Sequence, residues 1–259
     1  MCLPISGNGP RLVTVETGID HTPRLDRWMR GKLDELGQED LRGFVFKSQS
    51  PSCGVADTEI RSSRGSGLTR GPGLFTRAFI RRFPDVPVED EQRLHDEAVR
   101  ENFIERIFTF ARWREYVVGD GSRGGLVAWH SDHKLLLLSH SPVLARQLGG
   151  LVAGAASTGV RETRGRYREV LIRALAIPAT KSKHVNVLQH AAGYFKRQLT
   201  PERKRELGEA IEAYRHGMVP LVVPVTLINH YVREFGESYL QRQVYLNPNP
   251  LEMLMRCHA

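Results

Sequence analysis

The chain changes its hydrophobic pattern near residue 100, and this change constrains the fold more than any other feature. Before it, short apolar runs alternate with stretches whose apolar residues have helical spacing, in the order strand, helix, strand. From Glu101 onward the apolar residues follow helical spacing, and little of the chain resembles a strand. We therefore predict an open α/β sheet in residues 1–100 and an all-α helical domain in residues 101–259.

A short turn in the first half is the predicted ligand site. Residues 12–17 and 43–47 have strand patterns, with a helix predicted between them from Thr22 to Gly37. The second strand leads into KSQSPSCG, residues 47–54. Open α/β sheets bind their ligands at the carboxyl ends of strands, and this turn occupies such a position. A further helical pattern begins at Leu74, after a glycine-rich stretch.

The second half is predicted to consist of amphipathic helices. The predicted helices cover approximately residues 103–111, 126–140, 163–177, 180–197, 200–217 and 225–235.

Cysteine usage and hydropathy indicate a cytoplasmic protein. The three cysteines, Cys2, Cys53 and Cys257, are an odd number spread over the chain, which is not a disulfide framework. No apolar stretch approaches the roughly 20 residues needed to cross a bilayer, and no secretory signal is visible, so no membrane partner is expected.

The positive charge lies in the second half. Residues 1–100 carry 15 basic and 15 acidic side chains, whereas residues 101–259 carry 22 basic and 14 acidic ones. Eight of the ten histidines are also in the second half. A basic domain joined to a neutral one is typical of a protein that binds a polyanion, and nucleic acid is favoured over membrane. A merely soluble basic surface is the alternative.

Three histidines share one predicted helix face in LVAWHSDHKLLLLSHSP. His130, His133 and His140 lie within about 80° of one another at 100° per residue, beside Lys134. Three interpretations remain open: a metal site, core or capping histidines, and a polar surface that faces an anion.

The stretch ATKSKHVNVLQHAAGYFKRQL carries basic residues toward its two ends. Such side chains, interleaved with Tyr194, are of the types that bind RNA phosphates and exposed bases, although a solvated helix face is the alternative. The predicted RNA-binding residues of the whole chain are Lys47, His133, Lys134, Lys181, Lys183, His184, Lys196 and Arg197.

The two halves resemble two known families. The first half resembles the thiouracil desulfurase family in GFVFKSQSPSCG and GPGLFTRAFIRRFPDVPVEDEQRLHDEAVRENFIERIF. The second half resembles the YbgA-like domain in LVAWHSDHKLLLLSHSP, KHVNVLQHAAGYFKR, EAYRHGMVPLVVPVTLINHYV and YLNPNP. Fusions of the two look like bacterial tRNA 4-thiouridine desulfidases, which implies structured RNA, and tRNA above all, as the partner, with no DNA expected.

The resemblance implies a 4Fe-4S cluster held by three cysteines, with an open iron that takes sulfur from a thiolated pyrimidine. Cys53 matches the third cluster ligand. Ser50, or alternatively Ser52, matches the hydroxyl that orients substrate or water.

The amino terminus departs from the family pattern. The family's first two cysteines and its assisting glutamate precede a segment that MCLPI resembles, and Cys2 takes a glycine-like position there. The sheet is therefore expected to be incomplete, in a truncated or degenerate copy of a tRNA thiouridine desulfidase. The alternative function is a non-catalytic RNA-binding module, so whether the chain is an enzyme stays open at this point.

Overall fold

The computed structural model describes residues 3–6, 9–62 and 68–257 and divides into two compact units, residues 1–111 and 112–259. The division falls inside the long helix Glu97–Gly119. The boundary predicted at residue 100 lies within the same helix. A change of hydrophobic pattern shows approximately where one kind of secondary structure replaces another, and it does not show which residues of a helix pack in which unit.

The first unit contains small sheets flanked by helices. Its strands are β1 (Leu3–Ser6), β2 (Gly9–Pro10), β3 (Phe44–Phe46), β4 (Thr58–Ser62), β5 (Leu68–Gly71) and β6 (Val88–Asp90). Its helices are α1 (Thr22–Leu36), α2 (Leu74–Arg82) and the first part of α3 (Glu97–Gly119), with a short 3-10 helix at Arg93–His95. One sheet has the order β2-β1-β4-β5, and β3 pairs in parallel with β6 in the other. The predicted α/β class of the first half is confirmed.

The predicted strand over residues 12–17 is wrong. The chain turns back on itself here, with Gly18 at a φ of 67° and one isolated bridge between Val13 and Asp20. The alternating pattern is too short to outweigh a glycine in the left-handed region, which reverses the chain. Helix α1 begins at Thr22 as predicted, but the Thr22 Oγ1 accepts a hydrogen bond from the Leu12 N–H at 2.8 Å rather than capping the helix.

Aromatic side chains form the core of the first unit. Phe46, Phe75 and Phe79 are buried together with Met29, and Phe44 lies against them. Ring centroids are 4.5 Å apart for Phe44 and Phe79 and 5.3 Å apart for Phe46 and Phe79. This cluster joins β3 to α2, and it therefore sets the position of the turn that leaves β3.

The second unit is helical, as predicted. It contains the end of α3 and the helices α4 (Arg123–Asp132), α5 (Lys134–His140), α6 (Pro142–Thr158), α7 (Val160–Leu175), α8 (Lys181–Ala192), α9 (Pro201–Arg215), α10 (Val222–Phe235), α11 (Ser238–Gln241) and α12 (Pro250–Cys257). A short 3-10 helix, Gly193–Phe195, follows α8. Among the helices of the described residues, none is long and apolar enough to cross a membrane.

The helix predicted over residues 126–140 is two helices that meet at His133. This residue ends α4 and precedes α5. The buried Gln243 bridges the break, since its Nε2 donates to the Ser131 carbonyl at 2.7 Å and its Oε1 accepts from the Leu135 N–H at 3.0 Å. A side chain from more than 100 residues away thus replaces local helix hydrogen bonds, which no local pattern could reveal.

Helix α6 is absent from the sequence prediction. Its start carries a usable signal, because the Ser141 hydroxyl accepts from the Leu144 N–H and Pro142 occupies the first turn. The same pattern, a serine or threonine followed by proline, predicts the start of α9 correctly at Thr200.

We expect Gln243→Leu to lower the free energy of unfolding by about 2–4 kcal/mol, because the Ser131 carbonyl and the buried Leu135 N–H lose their partners. Gln241→Leu is the matched control, since Gln241 is exposed and only its backbone carbonyl accepts a hydrogen bond. Urea unfolding at neutral pH measures both. Similar stabilities for the two variants would show that the bridge contributes little.

Candidate functional site

The parallel pairing of β3 with β6 brings two distant loops together. Phe46 pairs with Asp90 at the carboxyl ends of both strands. The residues that follow, Lys47 to Ser50 on one side and Glu91 with Gln92 on the other, therefore leave the sheet at the same edge. This is the edge at which open α/β sheets bind ligands.

Glu91 holds the first residues of the turn. Its carboxylate accepts hydrogen bonds from the Ser48 N–H at 2.7 Å, the Ser48 hydroxyl at 2.8 Å and the Lys47 ammonium at 2.7 Å. The hydrogen bonds from Lys47 and Ser48 lower the pKa of Glu91 to about 2, so the carboxylate is ionised at neutral pH. Lys47, a predicted RNA-binding residue, is exposed but already paired within its own unit.

The structure brings Ser50, Ser52 and Cys53 together as the sequence predicts. The Ser50 and Ser52 hydroxyl oxygens are 3.1 Å apart, and the Ser52 Oγ lies 3.4 Å from the Cys53 Sγ. The Ser50 Oγ also accepts from the Cys53 N–H at 3.2 Å. Two hydroxyl groups and a thiol thus form a continuous polar chain within one turn.

The first residues of helix α2 hold this turn in place through hydrogen bonds. The Ser52 carbonyl accepts from the Phe75 N–H at 2.8 Å and the Thr76 N–H at 3.3 Å, and the Thr76 hydroxyl donates to the Cys53 carbonyl at 2.8 Å. Backbone groups of the turn therefore take the role that a capping side chain plays at most helix starts. The approach is close because Gly73 has no side chain: a Cβ there would overlap the Ser52 carbonyl.

An open depression of about 420 Å³ lies beside the turn. Its lining residues are Gln49, Ser50, Pro51, Asp57, Thr58, Glu59, Arg70 and Gln92. Sequence reasoning identifies only Ser50 among them. The others come from separate segments of the first unit, and no sequence signal marks Gln92, because the strand before it reads VED and has no apolar run.

The described residues do not fit an iron-sulfur cluster. Cys53 is the one free cysteine among the described side chains, and no group of three histidine, cysteine, aspartate or glutamate side chains in the described ranges could hold a metal ion. Cys53 itself is half-buried and packs against the aromatic core. Cys2 lies outside the described residues, as do residues 65–67 of the glycine-rich stretch at 65–73.

Two predicted RNA-binding histidines are buried, which corrects that prediction. His133 is 3% exposed and His184 is 8% exposed, so neither can reach a phosphate on the surface. The Arg112 Nε donates to the His133 Nε2 at 3.2 Å, and the His133 Nδ1 lies 2.7 Å from the Trp129 carbonyl. Burial, reinforced by the nearby Arg112 charge, lowers the pKa of His133 to about 3 and keeps the ring neutral.

The other histidines of this predicted face are also structural. His130 is partly buried, and its Nδ1 lies 2.8 Å from the Tyr167 hydroxyl. His140 is fully buried, and its Nδ1 lies 2.7 Å from the Ile177 carbonyl. Of the three interpretations left open by the sequence, the structure supports core and capping histidines, because helix packing and not helix phase decides which ring nitrogens meet solvent.

The predicted basic residues of the helical unit divide into one structural lysine and four exposed cations. Lys183 is half-buried, and its ammonium donates to the His140 carbonyl at 2.7 Å and the Pro178 carbonyl at 3.1 Å. It thereby caps the carboxyl end of α5, where a cation is favoured. The exposed cations are Lys134, Lys181, Lys196 and Arg197, and among the described residues none of these four forms an ion pair. Lys181 is the first residue of α8, whereas Lys196 follows the 3-10 helix after α8.

The two parts of the chain match two different protein families. Residues 3–91 match the 2-thiouracil desulfurase family, and residues 134–250 match the family described as a protein of unknown function, DUF1722. The α/β part of the chain is thus similar to one family and the helical part to another, which agrees with the two resemblances seen in the sequence.

One relative among curated proteins is similar to about half of the chain. The uncharacterized protein YbgA of Escherichia coli (strain K12) is 32% identical over 136 residues, which span 52% of this chain and 80% of that protein. The chain belongs to the YbgA family. No solved structure matches it.

We expect Gly73→Ala to lower the free energy of unfolding by about 1–3 kcal/mol, since the new methyl group overlaps backbone atoms that have no room to move. Gly31→Ala is the control, because a Cβ at Gly31 meets nothing within 4 Å and the residue lies inside α1. The control is expected to stabilise the protein by about 0.5–1 kcal/mol. Urea unfolding of both variants checks the difference in sign, and equal stabilities would contradict the close approach.

Proposed function

We propose that this protein is a tRNA thiouridine desulfidase-like protein, in which the first unit binds the thiolated base and the helical unit binds the tRNA. The observation that carries the proposal is the turn with Ser50, Ser52 and Cys53, which lies within the segment that matches 2-thiouracil desulfurase and borders the open depression. Removal of sulfur from a base needs polar and sulfur-binding groups at a ligand site, and the turn places a cysteine and two hydroxyl groups at the carboxyl end of a strand, where such sites lie.

The residues of the turn have distinct roles in this proposal. The Ser50 hydroxyl lines the depression and is held by Ser52 and the Cys53 N–H, so it is positioned to orient a substrate or a water molecule. The Ser52 hydroxyl links it to the Cys53 thiol. The family's reaction uses a cluster on three cysteines, which the described residues do not supply, and we assign no step to it.

A non-catalytic RNA-binding module is the second candidate function. The lack of a three-residue metal site among the described residues favours it, as do the exposed cations of the helical unit. Both candidates share binding of RNA, and they differ in whether sulfur leaves the base.

The carboxyl end of α8 is the proposed RNA-binding surface of the helical unit. Lys196 and Arg197 are exposed there beside Tyr194, whose ring stacks on that of Tyr239 with centroids 5.3 Å apart. Cations bind phosphates and an exposed aromatic ring can stack on an unpaired base, so this combination fits structured RNA.

Incubation of anaerobically isolated protein with tRNA that contains 4-thiouridine separates the two candidates. We expect the 4-thiouridine content to fall, as measured by nucleoside mass spectrometry, and the iron content of the same protein sample is measured alongside. Cys53→Ser is expected to abolish this conversion, and Ser50→Ala to slow it about 100-fold through misplacement of the reacting groups. Cys257→Ser, in the helical unit, is the matched control. Tight tRNA binding without iron and with unchanged 4-thiouridine would favour the RNA-binding module.

For the helical unit we expect the double variant Lys196→Gln, Arg197→Gln to weaken tRNA binding and to reduce the dependence of log K on log salt by about two, one for each phosphate that is no longer neutralised. The control is Arg205→Gln with Arg215→Gln. It removes the same charge from exposed side chains that already pair with Glu209 and Glu212. Equal slopes for the two double variants would exclude this surface.

A further inference from the structure

Gln49 has a backbone conformation that its residue type rarely adopts. Its φ is 53°, and it is the one non-glycine residue with a positive φ in the ranges that the structure describes. Long side chains are disfavoured in this left-handed region, and residues held there cluster at ligand sites. The hydrogen bonds of Ser48 to Glu91 on one side of Gln49 keep the chain in this conformation.

The strained residue faces a second glutamine. The Gln49 Nε2 donates to the Gln92 Oε1 over 3.5 Å, which is long for a hydrogen bond, and both side chains line the depression beside Ser50. This hydrogen bond is exposed to solvent. A ligand can therefore replace this hydrogen bond at a small cost in free energy, because both amide groups are accessible to water.

The chemistry of the two amides fits the edge of a pyrimidine. Each side-chain amide offers a donor and an acceptor in one plane, and a thiolated uracil ring presents an N–H donor between a carbonyl and a thiocarbonyl group. Side-chain amides bind such base edges through paired hydrogen bonds. The depression also contains Arg70, Asp57 and Glu59, so its charge is mixed and does not by itself select a phosphate.

We propose that Gln49 and Gln92 bind the N3–H edge of the thiolated pyrimidine and so determine which base enters the site. This inference rests on the proposed function and adds the residues that give it specificity. Binding of the ring edge by these amides places the base next to Ser50, at the start of the polar chain that leads to Cys53.

Ligand-observed NMR titration with 4-thiouridine 5′-monophosphate and its N3-methyl derivative tests the inference without requiring turnover. The wild-type protein is expected to bind the first nucleotide more tightly, because methylation removes the N–H donor. Gln49→Gly and Gln92→Ala are each expected to lower its affinity about 3- to 10-fold and to reduce the discrimination between the two nucleotides. Gln38→Ala, an exposed glutamine that does not line the depression, is the control.

Thermal unfolding separates binding from folding. Gln49→Gly removes the side chain and relieves the positive φ, so its melting temperature is expected to equal or exceed that of the wild type. If both glutamine variants keep wild-type affinity and discrimination, the inference is wrong and the proposed function stands. If the wild type binds neither nucleotide but binds thiolated tRNA, the inference is also wrong. If it binds neither nucleotides nor tRNA, both proposals fail.

Discussion

The carbonyl group of Ser52 is the acceptor on which the geometry of the candidate site depends. By accepting the Phe75 and Thr76 N–H groups, it ties the turn after β3 to the start of α2. Phe75 and Phe79 of the same helix are buried in the aromatic core, so the turn is attached to a tightly packed part of the unit. A site built this way keeps its hydroxyl and thiol groups in place without a ligand, which is the preorganisation that binding and catalysis require.

The helical unit uses its polar residues differently. His133 and Gln243 are buried and satisfied by hydrogen bonds, and Glu252, which is 1% exposed, forms an ion pair with Arg112 at 2.9 Å. These groups specify how the helices meet, because leaving any of them unpaired in the interior is costly. Of the basic residues that the sequence assigns to RNA binding in this unit, Lys134, Lys181, Lys196 and Arg197 remain exposed.

Local patterns are sufficient for part of the site and insufficient for the rest. Ser50, Ser52 and Cys53 are predicted together because they share one turn directly after an apolar run. Glu91 and Gln92 are not predicted, since they join Ser48 and Gln49 only through the parallel register of β3 and β6, more than 40 residues apart in the chain. Likewise helix periodicity places His133 on a face with His130 and His140, but the break that Gln243 bridges takes His133 into the interior.

The sequence by itself determined the two-part architecture, the α/β and helical classes of the two parts, the starts of helices α1, α2, α8 and α9, and the turn that carries Cys53. These follow from hydrophobic periodicity and from capping residues, which act over a few positions of the chain. Only the tertiary structure decided which side of the turn is lined by Gln92, and which cations remain exposed. Such features depend on contacts between residues far apart in the chain, which one sequence does not specify locally.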